Sequence, residues 1–170
     1  MSYATADMLR AAFGLRELLD SGAVLDPALL VDESLLGLVI GGGATNSYSP
    51  EAVAAAQAIV ERIEDACDQA TSRIDSFLRA RWASVELPLT APPADVVRIA
   101  IALSRYLMHA DVTEDGIVAR RYRDAVAELR DFARGMTTLG VVEPSAGGST
   151  TPTAIAPAET FDAALLDTMP

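Results

Sequence analysis

Ser49-Pro50-Glu51 opens a stretch in which no glycine or proline follows until after Trp82. Serine caps a helix well because its hydroxyl accepts from an otherwise unpaired backbone N–H. Proline suits the first helical position, and Glu51 lies at the positive end of the helix dipole. Val53, Ala56, Val60, Ile63, Cys67, Ala70, Ile74 and Phe77 then recur at alternating steps of three and four. Together these features predict one helix over 50–82, roughly 33 residues and about 50 Å long at 1.5 Å per residue. A helix beyond about 25 residues calls for long partners in a bundle rather than one compact neighbour.

The rest of the chain supplies such partners. Thr5 and Asp7 start a short helix that ends at Gly14, and "LRELLD" adds another turn. Residues 21–49 read as a loop around a short apolar helix, Asp32 to Ile40, broken by Gly41-Gly42-Gly43. Pro93 opens a helix, "ADVVRIAIALSRYLMHAD", which is apolar around most of its circumference apart from Arg98 and Arg105. Its expected place is central. Thr113, with Glu114 and Asp115, is expected to cap a last helix whose Val118, Tyr122, Ala125, Val126, Leu129 and Phe132 face inward. Gly135 sits where a left-handed terminating residue belongs. "TTLGVV" is read as a short strand. Only 5% of the residues are aromatic while 51% are hydrophobic, so alanine, leucine and valine must fill the core, which favours close-packed helices. The expected fold is all-α: a small antiparallel helical bundle with one long helix and an extended C-terminal arm. Residues 1–142 form the helical domain, with 21–49 as a variable insertion, and 143–170 form the arm.

Composition limits the chemistry. The net charge is −11, and all 13 basic residues are arginine. Such a surface does not favour nucleic-acid binding driven by counterion release. Cys67 is the only cysteine, so an intrachain disulfide and a thiolate metal cluster are excluded. The N-terminus lacks the basic-then-apolar pattern of a signal peptide, and no apolar run approaches the ~20 residues of a membrane span. A soluble protein made in a cytoplasm is expected. "GLVIGGGATNS" is followed by no Gly-Lys-Ser/Thr, so it is read as a loop and not as a phosphate cradle. His109, the sole histidine, is placed at a helix C-terminus, where partial positive charge is favourable. No catalytic, cofactor or metal site is expected.

Two charge stripes remain. Glu61, Glu64, Asp68 and Asp75 keep the three–four spacing along the long helix, with Thr71 in the gap. Arg120, Arg123, Arg130 and Arg134 do the same on the last helix, with Ala127 in the gap. As solvated faces they contribute a few tenths of a kcal/mol per pair at most. As matched ridges across a subunit boundary they would set register. The arm from Glu143 is rich in Pro, Gly, Ser, Thr and Ala and has no basic residue. Its apolar patch, Phe161, Leu165 and Leu166, is expected to anchor it on assembly.

The order of four segments is similar to the Mu-like branch of phage head–tail connector proteins. They are "SYATADMLRAAFGLRELLD", "IDSFLRARW…LPL", "PPADVVRIAIALSRYLMH" and "RYRDAVAELRDFARGMTTLGV". The resemblance covers about residues 1–20 and 50–142; the 21–49 segment and the acidic arm depart from it. It implies a structural virion protein in the neck, made in the bacterial host cytoplasm. Such a protein forms a homo-oligomeric ring, expected to be twelve-fold, between the portal protein and the next neck or tail-completion protein. Double-stranded DNA would pass through it without specific binding. Two other classes fit the residues alone: a cytoplasmic helical regulatory protein binding one small partner, and an enzyme with an inconspicuous carboxylate site.

Overall fold

The structure is a computed structural model that describes residues 1–22, 31–82, 85–109 and 112–140. The described residues form six helices and no strand: α1 (Ala6–Phe13), α2 (Leu15–Gly22), α3 (Glu33–Ile40), α4 (Pro50–Arg81), α5 (Ala94–Met108) and α6 (Ile117–Ala133). The all-α expectation holds, and the long helix runs 32 residues.

Local signals account for most helix ends. The Ser49 hydroxyl accepts from Ala52 N–H with Pro50 in the first turn, Thr5 accepts from Met8 N–H, and Asp32 accepts from Leu35 N–H. Gly135 terminates α6 with φ +77°. Beside it, Met136 N–H donates to Asp131 O and Gly135 N–H to Phe132 O, each at 2.9 Å, the paired bonds of a left-handed helix stop.

Two local readings need correction. Thr113 does not cap α6: Gly116 N–H donates to Thr113 O at 2.8 Å, and this turn delays the helix to Ile117, with Gly116 as an N-cap that has no side-chain bond. The stretch from Thr137 to Gly140 is not a strand; it is irregular, with φ +65° at Gly140, and no strand among the described residues pairs with it. Val141 and Val142 lie outside the described residues.

The C-terminal half of α4, α5 and α6 form an up–down–up bundle. Cross-helix contacts set the directions. Arg73 lies over Tyr122 and Arg81 over Phe132, so α4 and α6 run parallel, with α5 antiparallel to α6 through Arg98–Glu128 and the Tyr106–Tyr122 stack. Helix α4 also packs against α2 and α3. The buried face of α4 carries Ala56, Ile59, Ile63, Ala66, Cys67, Ala70, Ile74 and Leu78. That is wider than the single stripe expected, because helices cover it from two sides; Val53, Val60 and Phe77 are only half-buried.

The close of α4 is a clamp. Arg81 donates to Phe132 O at 3.1 Å and Thr137 O at 2.9 Å, and its guanidinium lies 4.8 Å from the Phe132 ring centroid and 5.3 Å from that of Trp82. The ring of Trp82 meets Phe132 edge-on at 5.0 Å. A planar guanidinium can serve two carbonyls while stacking on a ring, here one in the last turn of α6 and one in the segment that follows it. The "RARW" run thus ties the end of α4 to the end of α6.

Candidate assembly surfaces

The first residues lie along α4. Tyr3 N–H donates to Thr71 Oγ1 at 2.9 Å, Ser2 Oγ donates to Asp68, and the Tyr3 hydroxyl donates to Asp75 Oδ1 at 2.5 Å. That hydroxyl also accepts from Leu89 N–H at 2.9 Å, just after the cis Leu87–Pro88 peptide. One phenol oxygen therefore joins the N-terminus, the C-terminal half of the long helix and the α4–α5 connection. Burial, reinforced by the bond to Asp75, pushes the Tyr3 phenol well above its ordinary range.

This arrangement corrects the acidic ridge. Asp75 is buried, with 6% of its surface exposed, and is held by Tyr3, so it cannot face a neighbouring subunit. The spacing was helical, but α4 turns that position toward the strap of residues 2–3. Glu61, Glu64 and Asp68 are exposed, as are Arg120, Arg123, Arg130 and Arg134. Arg123 donates to Glu114 O at 3.1 Å. Among the described residues no ion pair joins the two ridges within the chain. Exposure in a single chain suits both a solvated face and an intersubunit contact; it argues only against internal pairing. Phe161, Leu165 and Leu166 lie outside the described residues.

A second polar cluster fixes α2 to α5. Arg105 donates to both carboxylate oxygens of Glu17, Nε to Oε1 at 2.5 Å and Nη2 to Oε2 at 2.9 Å, and its guanidinium lies 4.3 Å from the Phe13 ring centroid. His109 caps the C-terminus of α5, with Nδ1 2.7 Å from Arg105 O and Nε2 3.9 Å from Glu17 Oε1. Its terminal position was legible from the sequence; its place beside Glu17 was not. Cys67 is buried, and burial pushes its thiol up, away from the reactive thiolate. Among the described residues, no group of three or more His, Cys, Asp or Glu side chains could hold a metal ion, and no helix is long and apolar enough to cross a membrane.

The feature least visible in the sequence is a groove of about 680 Å³ between the end of α1, the outer face of α5 and α6. Val97, Ile101 and Ala102 form its floor, Ala12 and Phe13 one wall, and Arg98, Arg105, Arg121 and Asp124 its charged rim. Arg98 is bound to Glu128 at 2.7 and 2.9 Å, and that bond raises its pKa. Helix α5 was expected to be central because it is apolar nearly all round. It is buried on one face, through Val96, Ile99, Ala100, Leu103 and Met108, and its surplus apolar face lies in the groove. The signal was present, but a sequence does not say how many neighbours a helix receives.

One family model, described as bacteriophage Mu, Gp36, matches residues 3–155, which takes in Tyr3 of the strap, all six helices and the start of the C-terminal segment. No curated protein matches the chain.

Proposed function

The chain belongs to the bacteriophage Mu Gp36 family, and we propose from this that it is a non-catalytic virion component acting as an adaptor ring between the portal and the tail. The family match is the observation that carries this reading. Three physical features support it. The C-terminal half of the long helix is held twice, along its length by the strap of residues 2–3 and at its end by the Arg81 clamp, which gives a firm surface suited to repeated packing. Glu61, Glu64 and Asp68 on α4 and the four arginines on α6 are exposed, and among the described residues no ion pair joins one set to the other. A net charge of −11 per chain, multiplied around a ring, repels phosphate and lets DNA pass without sticking.

The test is the assembly state. Purified full-length chain, alone and mixed with its phage's portal protein, is followed by analytical ultracentrifugation and negative-stain microscopy. Rings with an open centre, free or seated on the portal, are expected. A monomer that ignores the portal, or a tight one-to-one complex with an unrelated small protein, would favour the regulatory reading instead.

A further inference from the structure

We propose that the groove between α1, α5 and α6 is the docking site of the chain's own C-terminal segment, residues 158–167. The groove has the wrong surface for open water. Its floor is Val97, Ile101 and Ala102 on a helix whose opposite face already fills the core, and about 680 Å³ lies within the range of ~300–1,000 Å³ typical of sites that enclose a ligand. The occupant needs apolar side chains for this floor and, at the rim, a carboxylate that meets Arg121 while staying clear of Asp124.

Segment 158–167, "AETFDAALLD", has both. Phe161, Leu165 and Leu166 are its large apolar residues; Glu159, Asp162 and Asp167 are its only charges, all negative. On the rim, Arg98 and Arg105 already hold Glu128 and Glu17, while Arg121 is exposed and makes no ion pair among the described residues. Arg121 is therefore the arginine left for an incoming carboxylate.

The chain also leaves the described core at the right place. Leu139 is buried, and a Cβ built on Gly140 would stand 3.4 Å from Pro93 Cβ. Pro93 is the N-cap of α5 and adjoins Ala94, a lining residue of the groove. From Gly140 to Phe161 there are about 20 residues, which can span up to roughly 70 Å at ~3.5 Å per residue. Helix α5, 15 residues long, covers only about 22 Å. A tether of that length keeps the segment at high effective concentration over the groove. The proposal concerns a groove within one chain and does not rest on the ring reading.

The test uses the full chain with labelled methyl groups. Changing Phe161, Leu165 and Leu166 together to Ser should shift the Val97, Ile101 and Ala102 methyl signals and leave those of the buried Ile63 and Leu103 in place. Unmoved Ile63 and Leu103 signals show that the variant keeps its fold. Arg121→Glu should move the same groove signals toward their positions in the triple-serine variant. In a mixture of differently labelled chains, nuclear Overhauser contacts from the Phe161 ring to the Ile101 methyl should arise within one chain. Unmoved groove signals would overturn the proposal. So would contacts seen only between chains, which would make a neighbour's segment the occupant. Sedimentation of the triple-serine variant reads the assembly state separately, so failure of one proposal is not mistaken for failure of the other.

Discussion

Replacing Tyr3 by Phe removes a single oxygen that two partners share. The ring can stay where it is, because Phe has the same shape below the hydroxyl. Asp75 Oδ1 loses its donor at 2.5 Å and Leu89 N–H loses its acceptor at 2.9 Å. Tyr3 is 2% exposed and Asp75 6%, so water cannot readily replace the hydroxyl. An unsatisfied buried polar group costs about 1–3 kcal/mol, and with two of them the expected loss is about 2–6 kcal/mol. For a chain of this size that lowers Tm by on the order of 10 °C. Urea unfolding should show the loss in the midpoint at an unchanged slope. Adding Asp75→Leu to Tyr3→Phe should recover part of it, because removing both members of a buried pair costs less than orphaning one. The same oxygen predicts a pH dependence. The folded pKa of Tyr3 is raised, so the unfolded chain loses this proton first, from about pH 10. The stabilisation is fully present below that pH and is lost as pH rises toward the folded value, at up to about 1.4 kcal/mol per pH unit. Tyr3→Phe should therefore lose stability less steeply than wild type above pH 10. A Tyr3→Phe chain within about 0.5 kcal/mol of wild type, with the same alkaline slope, would refute the reasoning.

Other expectations follow from neighbouring contacts. Arg81→Ala and Arg81→Lys should both destabilise by about 1–3 kcal/mol in urea unfolding, because neither can serve two carbonyls while stacking on a ring; full rescue by Lys would contradict the clamp. Cys67 should resist a thiol reagent in the native chain and react once the chain is unfolded in denaturant, so labelling at the free-thiol rate in buffer would show the helix face to be open. Reversing Arg123 and Arg130 to Glu should leave the Tm of the monomer nearly unchanged, since exposed pairs contribute at most about 1 kcal/mol, while impairing ring or portal association in sedimentation. A compensating reversal at Glu64 and Asp68 should partly restore it, and the wild-type contact should weaken with added salt.

What the amino-acid sequence determined by itself is local. Ser49 and Pro50 start α4, the absence of glycine and proline carries it to Arg81, and Gly135 stops α6, because caps and breakers act within a turn of where they stand. The apolar periodicity gave the buried side of α4 and placed α5 against the core. Tertiary structure decided whatever depends on residues far apart in the chain. Asp75 shares the spacing of Glu61, Glu64 and Asp68, and only the arrival of Tyr3, 72 positions away, turns it from a surface charge into a buried acceptor. Thr113 looks like a cap, but the turn it makes with Gly116 sets α6 one turn later. The Arg105–Glu17 pair links residues 88 apart, and neither gives a sign of the other in its own neighbourhood. The groove needs α1, α5 and α6 together. An apolar stripe tells that a helix face avoids water, but which neighbour covers that face is settled by packing between elements, and on α5 that packing leaves Val97, Ile101 and Ala102 only half-covered.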